Sequence, residues 1–149
     1  IQVEPERFLI ETRGAEGIDL LPAVTGRVFR ELSHTPVKAL GNNFLASQST
    51  PQGASGSDHL RRMLAAESSR LDRMFPNPGW EADARLTSRT TNPRVQLFAS
   101  RSMKSAGEIV VKGNFHYDLQ VGDDLPGLLG RRFPEDRDTF EKLVRELSA

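Results

Sequence analysis

A chain of 149 residues is long enough to bury a core of its own, and with 20 basic against 20 acidic residues it carries no net charge. That balance gives no overall attraction to nucleic acid or to an anionic membrane, and no apolar run approaches the ~20 residues of a membrane span. The lack of cysteine excludes disulfides, thiol nucleophiles and thiolate metal sites built by this chain.

Hydrophobic residues make up 37% and charged residues 27%, the composition of an ordinary globular protein. Nothing at the start reads as a secretory signal, which together with the missing cysteine gives the expectation of a cytoplasmic protein. The sequence opens at Ile1 rather than at methionine. Residues 1–149 are therefore expected to form a single domain, either trimmed at its start or excised from a longer chain.

Residues 7–12 are short, β-branched and aromatic, and read as a strand. After a turn at 13–17, Asp19 fits a helix N-cap and Pro22 falls in the first turn, where a missing N–H is tolerated. Leu21, Val24, Val28 and Leu32 recur at helical spacing with Phe29 beside them. Gly26 costs that helix about 1 kcal/mol against alanine, so another backbone packs close there or the helix is locally weak. Thr35-Pro36 ends it, and His34 is placed to satisfy its last carbonyls. From Val37 to Ala46, apolar residues sit at both parities. That pattern predicts a central strand covered on both sides, with Gly41 at a bulge or a close neighbour.

Residues 48–57 are rich in Ser, Gly, Gln and Pro and read as a mobile loop. Ser57 or Asp58 then caps a helix over about 58–75, whose apolar face takes Leu60, Met63, Leu64, Leu71, Met74 and Phe75, with Glu67 the one misfit. Pro76-Asn77-Pro78-Gly79 stops it. Three strands follow, over 80–89, 95–100 and 108–120, joined by turns at 90–93 and 102–107. The last alternates cleanly, with Ile109, Val111, Phe115, Tyr117 and Leu119 against Lys112, Asn114, His116 and Asp118. A final helix is expected after Pro134, with Phe140, Leu143, Val144 and Leu147 as its buried stripe. The order β-α-β-α-β-β-β-α predicts an α+β fold, a largely antiparallel sheet with helices packed on one face.

Four constellations bear on chemistry. His116 and Asp118, at positions i and i+2 with Asn114 behind them, share one strand face about 7 Å apart at the backbone, and Glu81, Asp83 and Arg85 of the strand over 80–89 are candidates to stand beside them. A carboxylate there can orient an imidazole as a base or ligand, but a solvated strand face has the same pattern. Gly53-Ala54-Ser55-Gly56-Ser57 before a helix resembles an anion cradle, yet Asp58-His59 stands where a phosphate loop needs lysine and a hydroxyl. Glu67 on an apolar stripe suits an acid, a buried ion pair or an interface. Arg61, Arg62, Arg70 and Arg73 on the helix over 58–75, with Arg131 and Arg132 later, could track phosphates, but Asp58, Glu67 and Asp72 interleave with the first four and no aromatic platform accompanies them. No metal set and no cofactor motif is present.

Residues 29–44 read Phe-Arg-Glu-Leu-Ser-His-Thr-Pro-Val-Lys-Ala-Leu-Gly-Asn-Asn-Phe. The run resembles a segment of a small, sporadically distributed family of bacterial proteins with no assigned activity. In that family a helix ending in His-Thr-Pro leads into an Ala-Leu-Gly-like or Met-Gly-like strand. The opening Val-Glu-Pro-x-Arg-Phe is similar too, as is the late Asn-x-His-Tyr at 114–117. The resemblance implies no chemistry; it points to Asn42, Asn43, Asn114, His116 and Tyr117 as positions to inspect. The resulting expectation is a non-catalytic association module, a homo-oligomer or a binder of a protein partner. The rivals are a small enzyme using His116, Asp118 and Asn114, and nucleic-acid binding through the helix over 58–75.

Overall fold

The computed structural model describes residues 1–4, 6–50, 54–63, 83–89 and 92–148. Its elements are β1 (Gln2–Glu4), β2 (Arg7–Leu9), α1 (Leu20–Glu31), β3 (Ala39–Ser49), α2 (Gly56–Met63), β4 (Ala84–Thr87), β5 (Arg94–Arg101), β6 (Glu108–Asp118) and α3 (Leu125–Ser148). The class is α+β, and the expected order holds with one strand, β1, added at the front. Strands β3, β6, β5 and β4 lie side by side in that order in one antiparallel sheet, and β1 and β2 make a separate hairpin. Contacts group the chain into two compact units, Ile1–Leu40 with Asp118–Arg137, and Gly41–Tyr117 with Asp138–Ala149.

In the first unit the hairpin sets Glu4 opposite Arg7 and Val3 opposite Phe8. Three residues are too few for alternation to reveal β1 in the sequence. Phe8 meets Phe29 of α1 edge-to-face, with centroids 5.4 Å apart. Asp19 stands at the N-cap of α1 but makes no cap hydrogen bond; its carboxylate instead accepts from the Arg137 guanidinium. Val24 and Leu32, expected inside, are 41% and 47% exposed. The buried position is Gly26, where a Cβ would lie 3.6 Å from Pro126. Gly26 is therefore a packing site. The helix is closed by backbone alone, the Leu32 N–H to Val28 O at 3.0 Å and the Thr35 N–H to Leu32 O at 2.9 Å. His34 is exposed and takes no part in the cap.

The final helix starts at Leu125, not after Pro134, which lies inside it. Asp124 supplies the cap that the sequence reading missed: its Oδ1 accepts the Gly127 N–H at 3.1 Å, and Pro126 sits in the first turn. Pro134 frees the carbonyl of Gly130, four residues back. Gly130 is exposed, so water can bond that oxygen. Leu125, Leu129 and Phe133 are buried along this half of the helix.

In the second unit the sheet has a dry face and a wet one. Ile109, Val111, Phe115 and Tyr117 are 1%, 0%, 2% and 3% exposed, as the alternation of β6 predicted. Phe44 joins them from β3, edge-to-face on Phe115 at 5.8 Å and stacked on Phe140 of α3 at 5.5 Å. Gly113 makes room for that ring, since a Cβ there would lie 2.6 Å from Phe140 Cδ2. Burying an aromatic side chain of this kind contributes about 2–3 kcal/mol.

Strand β3 is an edge, not the centre. Only one of its faces is covered, by the core around Phe44, and Leu45 on the other is 66% exposed. Its ends also differ from expectation: Gln48 and Ser49 extend the strand into the expected loop. Thr50, 8% exposed, donates its N–H to Gly107 O at 2.9 Å, and its hydroxyl lies 3.0 Å from the same oxygen. Ser55, rather than Ser57 or Asp58, caps α2, its Oγ accepting the Asp58 N–H at 3.1 Å. Helix α2 buries Leu60 and His59, and His59 Nε2 lies 2.7 Å from Leu147 O at the end of α3. Residues 64–75 of the expected helix, with Glu67, Arg70 and Arg73, lie outside the described residues, as do residues 80–82 of the strand expected over 80–89.

Candidate binding surface

The wet face of the sheet is built by register. Strands β5 and β6 pair so that Arg94 stands opposite His116, Gln96 opposite Asn114 and Phe98 opposite Lys112. Strands β4 and β5 set Thr87 opposite Gln96 and Arg85 opposite Phe98. On the far side, Asn114 Nδ2 donates to Asn43 Oδ1 at 2.5 Å. Two transverse rows result. One is polar, Asn43–Asn114–Gln96–Thr87. The other sets Lys112, Phe98 and Arg85 across three strands, with Lys112 Nζ 5.9 Å from the Phe98 ring centroid. At that distance the ammonium is attracted to the ring face.

The rows border an open depression of about 510 Å³, lined by Asn43, Leu45, Arg85, Gln96, Lys112 and Asn114 among others, with no acidic residue among the described residues of its lining. Among the described residues the side chains of Arg85 and Gln96 make no hydrogen bond or ion pair, and Asn114 spends one amide N–H while keeping its oxygen free. The chemistry on offer is amide donors and acceptors at the centre with two cations and an aromatic edge beside them. In the first unit a second depression of about 470 Å³ lies between α1 and α3, lined by Asp19, Arg30, Phe133, Pro134 and Arg137 among others. There the Arg137 charge is already met by Asp19.

The residues singled out from the sequence divide. Asn114 and Asn43 are joined on the wet face. His116 shares that face but stands across from a guanidinium-bearing residue, Arg94. Asp118, next on the same face of β6, belongs to the first unit. Neither His116 nor Asp118 lines either depression. Asn42 and Tyr117 are 5% and 3% exposed on the dry side and belong to the core. Among the described residues no three His, Asp or Glu side chains gather as a metal site, and no helix is long and apolar enough to cross a membrane. Arg61 and Arg62 fall in the last turn of α2; Arg131 and Arg132 lie on α3.

Arg85 was expected beside Asn114, with Glu81 and Asp83; Gln96 and Phe98, which join it to Lys112, were not foreseen. Strand alternation placed Lys112 with Asn114, but which residue of a neighbouring strand stands opposite is fixed by turn geometry that composition does not show. Comparison with protein-family models, with curated proteins and with solved structures finds no match for this chain.

Proposed function

We propose that the protein is a non-catalytic association module that engages a protein partner through the wet face of its four-stranded sheet. The observation that carries this reading is the pair of rows across β3, β6, β5 and β4, an amide line beside Lys112, Phe98 and Arg85 in a depression that is free of acidic side chains among the described residues. Such a surface complements a partner that presents carboxylates around exposed amide groups. The depression is shallow and open, which suits a macromolecular surface better than a small substrate held for reaction. The enzyme alternative loses support from the same register: the residue facing His116 across the strands is a cation, where a general base is served by a carboxylate. The resemblance of residues 29–44 to bacterial proteins and the lack of cysteine make the bacterial cytoplasm the compartment in which the partner is sought.

The test is a photo-cross-linking amino acid placed at Gln96 in the source cell, with Glu141 on the exposed side of α3 as the control. Discrete protein adducts from Gln96, absent from Glu141 and lost when Lys112→Glu and Arg85→Glu are added, are expected. Adducts of equal pattern at both positions, or none at Gln96, would dismiss the wet face as the recognising surface.

A further inference from the structure

The two edges of the sheet are unlike. Strand β4 is four residues long and carries Arg85, the usual form of a protected edge. Strand β3 is eleven residues long, Ala-Leu-Gly-Asn-Asn-Phe-Leu-Ala-Ser-Gln-Ser, and contains no Lys, Arg, Asp, Glu or Pro. The charges and prolines that keep a free edge from pairing are missing from it.

Its hydrogen-bonding directions follow from two contacts with the β6 side. The Leu119 N–H bonds Lys38 O and the Thr50 N–H bonds Gly107 O, both at 2.9 Å. The interval from 38 to 50 equals that from 107 to 119, so no bulge interrupts the pairing, and even-numbered residues turn their backbone toward β6. The odd-numbered residues Gly41, Asn43, Leu45, Ser47 and Ser49 therefore point N–H and C=O outward. All five are exposed, and among the described residues β3 is flanked in the sheet by β6 on one side, so these N–H and C=O groups lie along its outer edge. Leu45 is the middle of this set, and its side chain is 66% exposed on the wet face.

We infer that the occupant of this edge is β3 of a second copy of the chain, paired antiparallel about a twofold axis at Leu45. In that register Leu45 meets its own copy, Asn43 meets Ser47, and Gly41 meets Ser49. Each outward donor finds an acceptor, Asn43 faces the Ser47 hydroxyl, Ser49 faces a glycine that offers no clash, and the exposed leucine packs on its twin. No like charges are brought together, because the strand has none. The two sheets become one eight-stranded sheet. The inference stands on the edge of β3 and is independent of what the wet face binds. A strand pair is a small interface beside those of permanent dimers, so the association is expected to be concentration-dependent.

The experiment is sedimentation equilibrium from low micromolar to millimolar protein, on the wild type and on Leu45→Lys and Leu45→Glu. Both substitutions lie at an exposed site, and circular dichroism checks that the fold is kept. The wild type dimerises; each variant alone associates at least about tenfold more weakly, since like charges stand directly opposite; the two variants mixed recover the dimer. A single cysteine gives a second readout in a cysteine-free chain. Leu45→Cys cross-links to its copy under mild oxidation, because Cα atoms of a hydrogen-bonded antiparallel pair are about 5.5 Å apart, within disulfide reach. Met103→Cys, 87% exposed and away from the edge, does not. A monomer at every concentration, a dimer indifferent to Leu45→Lys, or equal cross-linking of the two cysteine variants would each overturn the assignment.

Discussion

At the scale of single residues, Gly113 shows how the covered face of the sheet is closed. Its missing side chain is the space that Phe140 fills, and Phe140 in turn stacks on Phe44. Gly113→Ala drives a methyl group to 2.6 Å from the ring, and a buried ring between two neighbours has little freedom to retreat. A loss of about 1–3 kcal/mol is expected in urea unfolding. In the double variant with Phe140→Leu the two costs should not add, because the smaller side chain vacates the contested space. Additive losses would show that the ring is not what Gly113 accommodates. This partnership was hidden in the sequence. A glycine inside a strand signals close approach of something, but not of what, and the Phe140 stripe was legible without its target. By contrast, Ile109, Val111, Phe115 and Tyr117 were readable as the inward set of β6 from their alternation, although Leu119, expected with them, lies beyond the strand and is half-buried.

At the scale of elements, close backbone contact sets how α2 is seated. A Cβ at Gly56 would stand 2.4 Å from the Glu108 carbonyl oxygen, and the Gly56 N–H bonds Ala106 O at 2.7 Å. Here the obstacle is main chain, which cannot rotate away. Gly56→Ala should cost about 2 kcal/mol or more and strip hydrogen-exchange protection from α2 first. Gly130→Ala is the counterpart: nothing lies within 4 Å of its Cβ position, so ordinary helix propensity decides. That change is expected to stabilise by about 0.5–1 kcal/mol. If both substitutions move stability the same way, the close approach at Gly56 is not real. The elements also show where pattern reading fails physically. Apolar residues at both parities of β3 suggested a strand covered twice, but Leu45 is simply exposed, and an exposed leucine carries no mark of its own. Pro134 suggested a helix start because proline suits a first turn, yet Pro126 and the Asp124 cap had already begun one. The choice between two prolines turned on a carboxylate three residues before its target, a local hydrogen bond that no apolar periodicity reports.

At the scale of the whole molecule, equal numbers of acidic and basic residues leave no net field to steer or repel a second macromolecule. Ionic strength can then act only through local groups, and the two proposed surfaces differ in what they hold. The wet face presents Lys112 and Arg85 to an acidic partner. These are exposed charges, screened over a Debye length that shortens from about 10 Å at 0.1 M to about 3 Å at 1 M salt. Cross-linking from Gln96 in cell extract should therefore fall several-fold as salt rises over that range. The edge of β3 has no charge at all, and its pairing rests on backbone hydrogen bonds and on leucine against leucine. Its dimerisation should stay within about twofold across the same range, because screening has nothing to act on, and a salting-out agent such as sulfate should strengthen it slightly. Sedimentation and cross-linking in the same buffers separate the two modes. A dimer that dissolves with salt would place self-association on a charged surface elsewhere. Adducts at Gln96 that persist unchanged would mean that neither cation takes part in recognition.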